Sequence, residues 1–115
     1  MAPILQTLIL NRTPIQVIDF ADEVSKWDIE RIIPAHFKND LKYSGEDYRK
    51  AFTFLEDKGV PKGLPNPLDA DLQFLRESEE GLLESGAIVP CPPLPGGKFT
   101  RDEILAQTVL RSLLL

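Results

Sequence analysis

Two side chains in this sequence carry chemistry that few neighbours would need to complete: His36, its only histidine, and Cys91, its only cysteine. An imidazole can ligate a metal or take a proton near neutral pH, and a thiol can act as a nucleophile once it is ionised. Catalytic zinc needs three or more protein ligands and an open position, and no second histidine or thiol accompanies His36. The nearby Asp28 and Asp40 fall where carboxylates are solvated or cap helices. No serine, cysteine or threonine motif accompanies the imidazole, so a general-base role lacks its nucleophile. The expectation is a neutral histidine hydrogen-bonded at the end of a strand, and a metal ligand only where another chain or segment supplies the rest. Cys91 lies in the run CPP, where proline removes backbone donors and no adjacent cation favours a thiolate, so it reads as an inert thiol. The acidic run ESEE, residues 77–80, reads as a solvated helix face, with metal binding as the alternative.

The elements that must position these groups follow from periodicity. Ile4, Leu5, Leu8 and Ile9 share one face of a short helix. Thr13, Pro14 and Gln16 predict a capped start for a helix from about Pro14 to Lys26, with a stripe of Val17, Ile18, Ala21 and Val24. Ser44 and Asp47 repeat the device before Tyr48, Ala51, Phe52 and Leu55, and Gly59 with Pro61 ends that helix. Between these two helices, IERII alternates as a strand over 29–33, with Ile29, Arg31 and Ile33 on one face and Glu30 and Ile32 on the other. Its backbone groups need a neighbour, and AIV at 87–89 is the weak candidate.

The run VPKGLPNPLD, residues 60–69, is a proline-rich connector. Asn66 and Pro67 then cap a helix bearing Leu68, Leu72, Leu75, Leu82 and Leu83, with Gly81 a weak point and Gly86 its stop. AIVPCPPLPGG is extended and surface-hugging, and Thr100 with Glu103 caps a terminal helix of Ile104, Leu105, Val109 and Leu113. The chain thus divides into residues 1–59, a connector at 60–69, a helix with an extended end at 70–90, and a strap with a terminal helix at 91–115. The strap lacks the pattern of a core element, so truncation after Gly86 is expected to leave the rest folded.

Composition removes several function classes. A length of 115 residues suits one domain, and 43% hydrophobic with 27% charged residues is that of a soluble globular chain. No apolar run approaches the roughly 20 residues of a membrane span. The net charge of −5, with lysine and arginine scattered among acids, disfavours nucleic acid as a partner. A single cysteine excludes an intrachain disulfide. Residues 2–10 lack a signal peptide's basic region and cleavage pattern, so the protein stays where it is made or a targeting segment precedes it.

The runs PILQTLILNR, WDIERIIPAHF, GEDYRKAFTFL and GAIVP together resemble the C-terminal half of a domain-of-unknown-function family. That family occurs in cyanobacteria and photosynthetic eukaryotes and is related to the metallo-β-lactamase superfamily; the resemblance covers most of residues 2–93. It implies an α/β, mostly helical chain of four or five helices and one strand, built as the C-terminal half of an αββα domain. Pro34 and His36 match the superfamily's P-x-H strand end, whose histidine reaches a dinuclear metal centre. The HxHxDH motif holding the main ligands is absent, and Phe37 stands where glycine usually follows the histidine.

The expected function is therefore a non-catalytic structural or interaction protein that docks on a larger assembly, in a plastid stroma or a cyanobacterial cytoplasm, without a cofactor. The alternative is a fragment of a zinc-dependent hydrolase that is active only with an N-terminal half. A protein partner or a second copy is expected to meet the unpaired strand and the faces around Phe52 and Leu55.

Overall fold

The stretch PIQVIDFADEVS coils because its apolar residues recur every three or four positions and its proline sits in the first turn, where no N–H is required. In the structure, a computed structural model that describes residues 2–36, 40–56, 68–96 and 99–113, it forms helix α1, Pro14–Ser25. Ile15, Ile18, Ala21 and Val24 make its buried stripe, and Val17 packs at the margin. Thr13 makes no side-chain cap; its carbonyl accepts from the Val17 N–H at 3.1 Å.

Helix α2, Gly45–Lys50, opens with the capping box predicted from Ser44 and Asp47. The Ser44 hydroxyl oxygen accepts from the Asp47 N–H at 3.3 Å, and the Asp47 carboxylate accepts from the Ser44 N–H at 3.0 Å. The helix does not continue to Leu55 as its pattern suggested; it tightens into a 3₁₀ turn, Thr53–Glu56, with Leu55 N–H bonded to the Phe52 carbonyl at 3.0 Å. In that geometry residues three apart eclipse, so Phe52 and Leu55 point together at α1 and join Ile18 and Ala21 in the core. Tyr48 lies on Phe52, ring centres 5.1 Å apart.

Two features fix α2 on α1. A Cβ added to Gly45 would come 2.2 Å from the Ser25 carbonyl oxygen and 3.2 Å from that of Trp27, so the helices meet where only glycine fits. Arg49 then bridges Asp22 of α1 and Glu56 of the 3₁₀ turn, the latter at 2.6 Å, with its side chain largely buried. Burial works against the guanidinium charge, but the two carboxylate hydrogen bonds prevail and raise its pKa.

The strand expected at 29–33 does not form, and the described residues contain no sheet. They hold one isolated bridge, in which Ile32 N–H reaches the Leu41 carbonyl at 2.7 Å and Leu41 N–H returns to Ile32 at 3.1 Å. Ile29 N–H bonds instead to the carbonyl of Trp27, two residues back, at 2.9 Å, and Pro34 has no N–H to give. Alternation alone could not make a ladder where the chain supplies a single partner residue. The αββα half-domain implied by the resemblance is accordingly not the architecture: the described secondary structure is helical throughout. Phe37, the Gly59–Pro61 stop, the Asn66–Pro67 cap and residues 60–67 of the connector lie outside the described residues.

Helix α3, Asp69–Glu84, follows the leucine pattern and ends before Gly86, whose φ of 73° is the left-handed conformation expected of a stop. Helix α4, Arg101–Leu113, begins with the second predicted box, in which Glu103 accepts from the Thr100 N–H at 2.6 Å. The segment between them is not a loose strap. Pro92 is buried, Leu94 packs on the core, and Gly96, at φ 92°, lies so close to Glu56 that a Cβ would sit 2.5 Å from its carbonyl oxygen. Ile104 of α4 is fully buried, and Arg101 clasps Asp19 of α1 with contacts of 2.6 and 2.7 Å.

The two boxes make an acid-sensitive pair. Backbone and then side-chain hydrogen bonds from Ser44 lower the pKa of Asp47, and those from Thr100 lower that of Glu103. Both folded values lie below the unfolded ones, so their contribution is complete above the ordinary carboxylate range of about 4 and is lost as pH falls through the lowered values. Melting temperature plotted against pH should drop below about pH 4, and Asp47→Asn with Glu103→Gln should flatten that drop. An unchanged slope in the double variant would show that other carboxylates govern acid unfolding.

Candidate functional site

The N-terminal turn is where polar groups face inward. Leu5–Ile9 winds as a π-helix followed by a 3₁₀ turn, Leu10–Arg12. The wider turn splits the expected apolar face, leaving Ile4 and Ile9 about half exposed and Leu5 and Leu8 partly buried, while Gln6 is buried at 8%. Gln6, Thr7 and Asn11 line a cavity of about 280 Å³ together with Phe54, Glu79 of α3 and Cys91.

Hydrogen bonds tie down several of its lining residues. Thr7 donates to the Pro3 carbonyl at 3.0 Å, and the Asn11 amide donates to the Thr7 carbonyl at 2.7 Å. The Asn11 Oδ1 is buried and unpartnered, an arrangement that costs about 1–3 kcal/mol. Arg12 holds three segments: its Nε bonds to the Leu8 carbonyl at 3.0 Å, Nη1 to the Val89 carbonyl at 2.6 Å and Nη2 to Glu79 at 3.3 Å. The Cys91 thiol donates to the same Glu79 carboxylate at 3.6 Å.

A thiol used this way ties the extended segment to α3. The Cys91–Glu79–Arg12 chain links the extended segment, α3 and the N-terminal turn. His36 lies apart from it, exposed in the bend after Pro34 and not among the cavity's lining residues. Among the described residues, no three of histidine, cysteine, aspartate and glutamate are grouped to hold a metal ion. Asp28 and Asp40 are exposed as well. Of the ESEE run, Glu77 and Glu80 are solvated as expected, while Glu79 turns inward to Arg12. Gln6, Asn11 and Arg12 carried no signal in the sequence, because a π-turn shifts the face that a 3.6-residue period assigns.

Residues 1–54 match the family described as Domain of unknown function (DUF4336). The DUF4336 match spans the N-terminal turn, α1, the bridge and α2 through Phe54; α3, Cys91 and α4 fall beyond it. No curated protein and no solved structure matches the chain. The cavity is thus lined both by the matched segment and by residues outside it.

Proposed function

We propose that this chain is a non-catalytic interaction protein that docks on a larger protein assembly, and that its setting is photosynthetic, a plastid stroma or a cyanobacterial cytoplasm. One observation carries the reading: of the described side chains on α3 and α4, Ile104 alone is buried. Leu110 and Leu113, three residues apart on one face of α4, are 60% and 77% exposed. Large apolar side chains grouped on a helix face mark binding surfaces, since single scattered ones need no cover but a contiguous set does. The sequence alone placed the contact at a strand over 29–33 and at the faces around Phe52 and Leu55. Phe52 and Leu55 are buried in the chain's own core, and the strand is not formed. The compartment rests on the family resemblance. No helix among the described residues is long and apolar enough to cross a membrane.

The test is affinity purification from the native source with the wild-type chain and with Leu110→Glu/Leu113→Glu. A protein that co-purifies, rebinds when purified, and is lost by about tenfold or more in the variant is the expected result. Recovery of both forms as lone monomers would overturn the reading.

A further inference from the structure

We propose that the outward face of α3 receives a basic amphipathic helix of a partner protein, an assignment that rests on the interaction reading and names the surface and the partner's chemistry. Ala70, Phe74, Glu77, Gly81 and Glu84 recur at alternating steps of four and three, so they form one stripe along the helix. Phe74, one turn in from Ala70, has 68% of its surface exposed.

Gly81 supplies the second observation. Glycine in a helix interior is unfavourable relative to alanine, yet beyond the helix's own neighbouring backbone no atom lies within 4 Å of where its Cβ would be. The chain's own packing gives no reason for it. A notch between Phe74 and Glu84 is what a second helix needs for its backbone to approach closely, with an apolar side chain of the visitor against the Phe74 ring.

Charge selects the visitor. Helix α3 holds six carboxylates against Arg76, a balance of −5 that equals the net charge of the entire sequence. Glu79 is answered by Arg12, and Glu77 accepts from Gln73 at 2.8 Å, whereas the outward acids repeat at like-charge spacings that weaken a lone helix: Glu77 to Glu80, Glu80 to Glu84. Lysine or arginine flanking an apolar seam would relieve that repulsion. A second copy brings the same acids and is disfavoured, as is nucleic acid.

The experiment titrates the full chain with a synthetic helical peptide of leucine and lysine, about 18 residues long, whose leucines share one face. The control is the same composition scrambled so that they do not. The ordered peptide should bind at least about tenfold more tightly. Gly81→Ala should raise the melting temperature of the free chain yet weaken peptide binding by about tenfold, and Phe74→Ser should weaken it similarly without unfolding an exposed site. Equal binding of the scrambled peptide, unchanged affinity in Gly81→Ala, or a self-association that Phe74→Ser abolishes would each overturn the assignment. If the native partner is lost in Leu110→Glu/Leu113→Glu but kept in Phe74→Ser and Gly81→Ala, the interaction reading stands and the α3 assignment fails.

Discussion

Gly45→Ala should destabilise the chain by about 1–3 kcal/mol or more, although it adds a single methyl group. The methyl would meet the Ser25 carbonyl oxygen at 2.2 Å, and both sides of that contact are backbone, so no side chain can turn away. Relief requires α2 to move off the end of α1. That movement stretches the Arg49 bridge to Asp22 and draws Phe52 and Leu55 away from Ile18 and Ala21. Small domains have about 5–15 kcal/mol in total, so the loss would be a large part of it. Urea unfolding should show a lower midpoint at unchanged slope. A wild-type midpoint would mean that the two helices do not approach as closely as described.

Ile104→Ala should cost about 2–5 kcal/mol, and truncation after Gly86 should abolish cooperative thermal unfolding. Ile104 is fully buried, so its deletion leaves a cavity; the truncation also removes Pro92, Leu94 and the Arg101 clasp on Asp19. This is the opposite of what a proline-rich strap suggests from its sequence. An intact, cooperative melting transition in residues 1–86 would show that the C-terminal contacts add little.

How far the sequence reaches can be judged from these same residues. Local signals were sound: Pro14 started α1, the Ser44–Asp47 and Thr100–Glu103 boxes formed, and Gly86 took the left-handed conformation. Each depends on neighbours within three or four positions. The Thr13 side-chain cap and the run of α2 to Leu55 failed locally, but most of what failed depended on partners distant along the chain. IERII has strand alternation, but a ladder is a property of two segments, and Leu41 provides one bridge. PCPPLPGG has no period, yet Pro92 and Leu94 are held by where the rest of the chain passes. The cavity was the least legible part, because the π-turn at Leu5–Ile9 changes the period itself and puts Gln6 where Ile4 or Ile9 was expected. His36, the lone imidazole, lies in an exposed bend.

The core cluster of Ile18, Ala21, Phe52 and Leu55 spans fewer than forty positions of the chain and comes entirely from its first half. During synthesis from the N-terminus, at roughly 5–20 residues per second, these four side chains emerge several seconds before Ile104. Contacts so near in sequence close quickly, because the loop between them is short. Once Glu56 has left the ribosome, all four side chains of that cluster and both carboxylate partners of Arg49 are available to meet. The site that Ile104 later fills stays open until α4 leaves the ribosome. For that interval the surface that Ile104 will cover is open to solvent, and a chaperone attending the growing polypeptide can reach it.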